Sequence, residues 1–248
     1  MTLNYPKKEN GLYCIRRDQL DEIAGAVLSE YAPEVLVKPQ PLRIGDIAQE
    51  QLGLTLQYQN LSPNGEISGL VSFGDTKFDC YDDLFRPIEL SIADGTILID
   101  KSLSNDRLYP RRRYTITHEF SHRLLHRSYR DPSRSQFNFR KNRNPLIACR
   151  SSDIERSNEP RSINSDSEWE EWQADGLAAA LLMPRSTFSK LAIDYIRSRT
   201  DRQFMPRNIQ KDVFNEIVTR LSNVFVVSRQ ATIIRLKVLN LVSNDISA

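Results

Sequence analysis

All three histidines of the sequence, His118, His122 and His126, fall in one short window. His118-Glu119-Phe120-Ser121-His122 is an HExxH motif, in which the two histidines lie one helical turn apart on the same face. Both imidazoles can then reach one metal ion, and Glu119 projects beside them. At this composition about 0.002 such matches are expected by chance. The motif therefore predicts a metal site with an adjacent general base, in preference to a histidine pair with only a packing role.

Zinc sites in hydrolases take three protein ligands and leave the fourth position to water. A third ligand must therefore come from outside the HExxH pair. His126 lies two helical turns from His118, about 12 Å along the axis, so we expect it to pack or to hydrogen-bond instead of binding the metal. Cys149 could act as a thiolate ligand that closes the fourth position, but a packing role is favoured for it.

Glu171 is the best candidate for the third ligand. Asp175 follows four residues later and so lies on the same helix face. One carboxylate could bind zinc while the other accepts the second ring N–H of a liganding histidine, which fixes its tautomer. Glu168 and Glu170 belong to the same charged stretch and stay open as alternatives.

Hydrophobic periodicity predicts the helices that carry these residues. Apolar residues recur at spacings of three and four over residues 16–31, 44–52, 109–126 and 167–184, and the chain from residue 186 onward looks helical throughout. The pattern Ser167-Glu168-Trp169-Glu170 indicates a capping box at the start of the Glu171 helix.

Short apolar runs predict a small sheet, with antiparallel pairing expected. They cover residues 54–58, 69–73 and 97–99 and are separated by turn residues such as Asp94-Gly95. The polar, basic stretch 127–166 is predicted to be a long loop. Its charge could attract an acidic substrate segment or nucleic acid, although a solvated face is the commoner role of such a stretch.

Length and composition point to an ordinary globular protein. The chain has 248 residues, 40% of them hydrophobic and 27% charged, with a net charge of +2. This excludes a disordered chain and a uniformly basic nucleic-acid coat. No apolar stretch approaches the roughly 18 residues that cross a bilayer. Cys14, Cys80 and Cys149 are a poor disulfide framework, so we expect a cytoplasmic protein with no membrane partner.

Two separated motifs resemble the ImmA/IrrE family of zinc metallopeptidases. The first is the HExxH motif with Leu124-Leu125-His126 after it, and the second runs from Glu171 to Pro184, EWQADGLAAALLMP. The family pattern for the second motif is roughly ExxA(N/D)xFAxxLLMP, and Leu177 stands where the family often has Phe. The resemblance covers about residues 40–190. The long arginine-rich stretch between the motifs departs from the family.

The resemblance implies one zinc ion held by His118, His122 and Glu171. It also implies that Glu119 is the catalytic base and that Asp175 supports a zinc-binding histidine. Zinc lowers the pKa of its bound water, and Glu119 takes the proton as that water attacks a peptide carbonyl.

The resemblance further implies an α+β, zincin-like fold with a small antiparallel-type sheet packed on helices. We expect an N-terminal helical extension over residues 1–39, the metallopeptidase domain over 40–195 and a helical, helix-turn-helix-like segment over 196–248. A substrate peptide is expected along an edge strand formed by residues 96–99. Tyr114 or Arg123 could supply the donor to the oxyanion, and the sequence leaves this choice open.

The predicted function is a zinc-dependent endopeptidase acting on a restricted protein substrate such as a transcriptional repressor. The alternative is a DNA-associated regulator with a structural or inactive metal site. In that case residues 221–236, which resemble a helix-turn-helix, would contact DNA. Arg229 and Arg235 are the cations of its second helix, and Val226 stands in the turn where Gly or Asn is usual.

Overall fold

The protein is described by a computed structural model over residues 3–130, 145–150, 163–200 and 209–243. Its helices there are α1 (Arg17–Tyr31), α2 (Glu34–Val37), α3 (Ile44–Asp46), α4 (Tyr109–Arg130), α5 (Asp166–Leu182), α6 (Arg185–Thr200), α7 (Lys211–Phe225) and α8 (Arg229–Val238). A π-helical turn, Ile47–Gln51, continues α3, and two 3₁₀ turns, Lys101–Ser104 and Asp106–Leu108, precede α4. The strands are β1 (Thr55–Gln59), β2 (Ile67–Ser72), β3 (Thr76–Tyr81), β4 (Pro87–Ile92), β5 (Thr96–Asp100) and β6 (Leu146–Arg150). The predicted α+β class is confirmed.

The chain divides into two compact units. The first contains Met1–Leu20 and Arg43–Ala178, and the second contains Asp21–Leu42 and Ala179–Ala248. The sheets, α4 and most of α5 belong to the first unit. The three sequence segments 1–39, 40–195 and 196–248 stay a prediction, because a division by compactness does not test where the family domain begins and ends.

The larger sheet has the strand order β1-β5-β2-β6. β2 pairs antiparallel with both β5 and β6, but β1 pairs parallel with β5, from Thr55 opposite Thr96 to Gln59 opposite Asp100. The expectation of antiparallel pairing was therefore wrong for this one pair. A parallel pair needs a long crossover, and the segment from β1 to β5 provides it because it contains β2 and the β3–β4 hairpin.

The first unit is layered around this sheet. On one face, Leu70 and Leu98 pack in a buried cluster with Leu61 and Ile92, and Phe78 and Leu90 of the hairpin lie against it. On the other face the sheet contacts α4. Gly69, next to Leu70 in β2, is so close to α4 that an added Cβ would lie 2.6 Å from Thr115 Cγ2. Successive side chains of a strand point to opposite faces, which explains how β2 serves both layers.

Two parts of the sheet were not predicted from the sequence. The β3–β4 hairpin was not predicted, and β6 lies inside the stretch 127–166 that was expected to be a loop. The first residues of that stretch complete α4, and residues 131–144 and 151–162 lie outside the described residues. Residues 96–99 were expected to form an edge strand, but β5 lies between β1 and β2. In the described part of this sheet the edge strands are β1 and β6, and β6 contacts α4.

The capping box of α5 begins two residues earlier than predicted. The Ser165 hydroxyl accepts a hydrogen bond from Glu168 N at 3.2 Å, and Glu168 Oε2 accepts one from Ser165 N at 3.0 Å. The predicted box used Ser167 and Glu170. The S-x-x-E spacing occurs in the Ser165 frame, and Asp166 then adds a negative charge in the first turn, where the helix dipole favours it.

Two helices of the second unit, α7 and α8, are joined by a short turn. Val226 has φ 50° and ψ 58° and ends α7 in the left-handed conformation, and the Ser228 hydroxyl accepts from Ala231 N at 3.1 Å, as expected for the α8 N-cap. Arg235 is buried, where it donates to Met183 O at 3.1 Å and pairs with Asp21. This pair of helices has a helix–turn–helix connection, but its second helix uses one of its arginines inside the protein. None of the helices in the described ranges is long and apolar enough to cross a membrane.

Candidate metal centre

Helix α4 carries the three histidines on its buried side. His118 is 1% exposed, and Glu119, His122 and His126 are not exposed at all. A polar side chain buried to this degree needs a partner, because its desolvation is otherwise uncompensated. Pro110 in the first turn is compatible with the helix, since the first N–H groups have no intrahelical acceptor.

Glu171 of α5 meets the histidine pair of α4. The distance between His118 Nε2 and His122 Nε2 is 2.9 Å, and Glu171 Oε2 and Oε1 lie 3.2 Å and 3.4 Å from these two nitrogens respectively. The three residues form one group in which the possible ligand atoms all lie within 4.8 Å of one another. The structure thus brings together the three residues expected to bind the metal.

These distances fit a zinc ion. Ligands at the usual Zn–N and Zn–O distances in a tetrahedral site are separated from one another by about 3.3 Å. The three separations between the nitrogen and oxygen atoms of His118, His122 and Glu171 are 2.9, 3.2 and 3.4 Å, close to that value. Glu171 Oε2 is buried and has no hydrogen-bond partner among the described residues, which leaves it available to a cation. Two imidazoles and one carboxylate are also a donor set that zinc commonly accepts in hydrolases.

The other glutamates of α5 have different roles. Glu168 caps the helix, as described above. Glu170 is 2% exposed and pairs with Arg130 of α4, with Arg130 Nε donating to Glu170 Oε1 at 2.7 Å. Neither glutamate is therefore favoured over Glu171 as the third metal ligand, because each carboxylate makes its contacts with other groups than the histidine pair.

His126 does not join the group around Glu171. Its Nδ1 lies 3.1 Å from His122 Nδ1, and its Nε2 lies 3.0 Å from Gln173 Oε1. This hydrogen-bonding position agrees with the role that the sequence suggested. Gln173 is completely buried, and no sequence signal marked it.

Asp175 lies on the outer side of His118. Its Oδ1 is 3.1 Å from His118 Nδ1, and it accepts a hydrogen bond from the Tyr114 hydroxyl at 2.8 Å. The alignment at His118 Nδ1 is poor, so that this nitrogen has no well-formed hydrogen bond in the described part of the protein. The distance is nevertheless the one needed to orient a liganding imidazole through its second nitrogen.

The Glu119 carboxylate is completely buried beside His118. Neither of its oxygens has a side-chain hydrogen-bond partner within the described residues. Burial raises the pKa of Glu119 to about 8, with the nearby His118 opposing the rise, Glu171 adding to it and the backbone of Cys149 acting to lower the pKa. The possible ligand atoms of Cys149, in β6, and of Glu119 and His118 lie within 4.8 Å of one another. Burial likewise raises the pKa of the Cys149 thiol to about 12.

The charges of the ligand group are strongly coupled. Burial acts against the charged form of His118, but Cys149, Asp175 and Glu171 outweigh it and raise the pKa of His118 well above its usual value. Burial also opposes ionisation of Glu171, yet the two histidines hold its pKa well below its usual value. Burial lowers the pKa of His122. In the zinc-free protein the anionic Glu171 carboxylate therefore lies beside a protonated His118, and a bound cation would replace that proton.

Arg123 has a structural role at the end of β2. Its Nη1 and Nη2 donate to the two carboxylate oxygens of Asp94 at 2.7 and 2.8 Å, and Nη1 also donates to Ser72 O at 3.1 Å. Arg123 is therefore the less favoured of the two candidate oxyanion donors, because its N–H groups connect α4 to the end of β2 and to the Asp94-Gly95 turn. Tyr114 remains near His118, with ring centroids 6.1 Å apart.

A comparison with known families supports the second of the two motifs. Residues 146–237 match the Peptidase_M78 family model, described as an IrrE N-terminal-like domain. The matched range contains Glu171 and Asp175 and begins after the HExxH motif. No curated protein matches the chain significantly. The match confirms the resemblance predicted from the sequence: over residues 146–237, the chain is similar to the ImmA/IrrE family of metallopeptidases.

Proposed function

We propose that the protein is a cytoplasmic zinc-dependent endopeptidase that cleaves a restricted regulatory protein substrate, such as a transcriptional repressor. The observation that carries this proposal is the convergence of His118 Nε2, His122 Nε2 and the Glu171 carboxylate at separations of 2.9 to 3.4 Å. The family match supports a metallopeptidase independently, because it rests on residues 146–237 and not on the HExxH motif.

His118, His122 and Glu171 would hold the ion, and the described residues provide three ligands in this group. A three-ligand site with an open position is typical of catalytic zinc, whereas structural zinc is closed by four protein ligands. When bound, zinc would lower the pKa of a coordinated water and polarise a peptide carbonyl.

Glu119 would act as the general base and then as the acid. Its carboxylate is completely buried, and a pKa raised toward neutrality suits a group that first accepts a proton from water and later donates it to the leaving amine. Asp175 would hold His118 in the tautomer that leaves Nε2 free to bind metal. Tyr114 donates to Asp175 and would fix that carboxylate in turn.

We further propose that the substrate backbone pairs with β6. In the described part of the sheet, β6 pairs with β2 on one side only. Cys149 of this strand lies beside His118 and Glu119, so a peptide added along the outer edge would run next to the base. Main-chain hydrogen bonds to an edge strand give affinity with little dependence on side chains.

The alternative function, DNA binding by residues 221–236, has less support. Arg235 is buried against Met183 O and Asp21, and Arg229 donates to Asn215 Oδ1 at 2.8 Å and to Thr219 on the preceding helix. Cations that read phosphates or bases must be free to leave such contacts. We therefore favour helix packing as the role of these two arginines.

The proposed activity can be tested with a proteome-derived peptide library and mass spectrometry of new amino termini. The wild-type protein with zinc should produce new termini, and Glu119→Gln should produce none while retaining about one zinc per chain. Glu168→Gln is the matched control, because Glu168 is an exposed capping residue, and it should cleave as the wild type does. Equal cleavage by Glu119→Gln, or no zinc-dependent terminus with the wild type, would contradict the proposal.

A further inference from the structure

A continuous series of buried hydrogen bonds begins at Nδ1 of His122, on the side of the ring opposite His118 and Glu171. His122 Nδ1 lies 3.1 Å from His126 Nδ1, and His126 Nε2 lies 3.0 Å from Gln173 Oε1. Gln173 Nε2 then donates to the backbone carbonyl of Tyr13 at 2.7 Å. The histidines and Gln173 are completely buried, and Tyr13 is 7% exposed, so that water does not compete for these contacts.

The carbonyl at the end of this line determines the direction of every hydrogen bond in it. A backbone carbonyl only accepts, so the Gln173 amide must present its NH₂ group to Tyr13 and its oxygen to His126. The Gln173 oxygen also only accepts, and His126 Nε2 must therefore carry a hydrogen. His126 is completely buried, and its two ring nitrogens face an amide oxygen and another imidazole. Neither partner would compensate a positive charge, which favours a neutral ring with a single N–H.

A neutral His126 with its hydrogen on Nε2 has a lone pair on Nδ1. That lone pair faces His122 Nδ1, which must then be the donor. His122 in turn has its lone pair on Nε2, the atom that lies 2.9 Å from His118 Nε2 and 3.4 Å from Glu171 Oε1. In the opposite tautomer of His122, the hydrogen on Nε2 would point toward the proposed metal position.

We propose that His126 and Gln173 are positioning residues that lock His122 in its metal-binding tautomer. They form a hydrogen-bond relay that runs from His122 through His126 and Gln173 to the Tyr13 carbonyl, which is its fixed end. The inference deepens the proposed function, since it rests on the metal site proposed above. It gives a role to His126, the histidine that follows the HExxH motif, and to the N-terminal segment that contains Tyr13.

The two metal-binding histidines would thereby be oriented in different ways. His118 has a carboxylate, Asp175, on its second nitrogen, whereas His122 has a neutral imidazole there. A carboxylate partner raises the basicity of a liganding imidazole more than a neutral acceptor does. The relay therefore contributes orientation at His122 and little charge.

The direct test is nuclear magnetic resonance of the full chain labelled with ¹⁵N-histidine. The protein has only three histidines, and single substitutions assign them. Long-range ¹H–¹⁵N correlations of the zinc-loaded and zinc-free protein distinguish the tautomers. We expect His126 to be protonated on Nε2 and unprotonated on Nδ1 in both samples, and the zinc-loaded sample to show His122 protonated on Nδ1. Protonation of His126 on Nδ1 would overturn the inference.

Variants with a zinc-affinity readout provide the second test. Gln173→Leu and His126→Phe should each weaken zinc binding by about 10- to 100-fold, the usual effect of removing a residue that orients a metal ligand. His126→Asn should recover most of the affinity, because its amide oxygen can accept from His122 Nδ1. Trp169→Phe is the matched control: Trp169 Nε1 also donates to Tyr13 O, at 2.9 Å, and its loss should change zinc affinity by no more than about twofold.

The outcomes separate this inference from the proposed function. Wild-type zinc affinity in His126→Phe, together with a folded protein, would overturn the relay and leave the metallopeptidase proposal in place. A zinc-free wild type would overturn the proposed function, while the tautomer of His126 could still be read from the zinc-free spectrum. Equal losses in His126→Phe and His126→Asn would indicate a packing role and contradict positioning by hydrogen bonds.

Discussion

Arg130 and Glu170 form a buried ion pair between α4 and α5, one helical turn beyond His126. Glu170 is 2% exposed, and its carboxylate accepts a hydrogen bond from Arg130 Nε at 2.7 Å. Arg130 Nη2 makes a second contact with the same carboxylate. The pair joins the same two helices that carry the proposed ligands His118, His122 and Glu171. It therefore fixes the distance across which those ligands meet.

Breaking this pair should destabilise the protein without removing a metal ligand. Glu170→Ala removes the carboxylate that faces the largely buried Arg130 guanidinium, and we expect a loss of about 3 kcal/mol in the free energy of unfolding. Urea unfolding of the zinc-loaded protein measures it. Glu168→Ala, a change to the exposed capping residue on the same helix, should cost only about 1 kcal/mol. A loss in Glu170→Ala no greater than in Glu168→Ala would show that the buried pair contributes little.

Gly69 permits the close approach of β2 to α4. An added Cβ would lie 2.6 Å from Thr115 Cγ2 and 3.2 Å from Glu119 Oε1. We expect Gly69→Ala to destabilise the protein by about 1 to 3 kcal/mol through overpacking, and to reduce cleavage because Glu119 is displaced.

The matched control for this change is Gly25→Ala. Gly25 lies inside α1, where an added Cβ meets nothing within 4 Å, so alanine should be neutral or stabilising by up to about 1 kcal/mol. Denaturant unfolding of both variants makes the comparison. Similar stabilities for the two alanine variants would mean that β2 and α4 can separate at no cost.

Glu119 should make the stability of the zinc-free protein depend on pH. Its pKa in the folded protein is raised to about 8, so between about pH 4.5 and 8 the folded state binds more protons than the unfolded state. The stability contributed by the protonated form is present at low pH and is lost as the pH rises through this window. Glu119→Gln should therefore stabilise the zinc-free protein at pH 8, by on the order of a few kcal/mol, and much less at pH 5. Urea unfolding at the two pH values measures this, and a variant that gains more at pH 5 than at pH 8 would contradict it.

Asp175 should contribute to zinc binding through His118. Asp175→Asn keeps the shape of the side chain but replaces the charged acceptor, and we expect zinc affinity to fall by about 10- to 100-fold. Tyr114→Phe removes the hydroxyl that donates to Asp175 and should give a smaller loss. Competition with a chromophoric chelator provides both values. Unchanged affinity in Asp175→Asn would remove Asp175 from the metal site.

The sequence was sufficient to locate the principal helices and the histidine pair of the proposed metal site. Spacing of four along one helix places His118 and His122 together, and this is a local property of α4. The choice of Glu171 over its neighbours depended on the family resemblance. In the structure the reason is physical, since Glu168 caps α5 and Glu170 pairs with Arg130.

Features that depend on distant contacts were not predictable in the same way. β6 is a short run within a basic stretch, and its pairing with β2 joins residues far apart in sequence. Gln173 carries no motif, and its role depends on Tyr13, which only the folded chain brings near. The parallel pairing of β1 with β5 likewise follows from the long crossover and not from either strand's own pattern.

Elemental analysis of zinc in the wild type and in Glu171→Ala, prepared side by side in metal-replete medium, would show whether Glu171 holds a metal ion. Glu168→Ala serves as the control for a lost glutamate on the same helix. We expect about one zinc per chain in the wild type and in Glu168→Ala, and a clear loss of zinc in Glu171→Ala. Zinc retained at wild-type level and affinity in Glu171→Ala, or absent from the wild type, would contradict a site built from His118, His122 and Glu171.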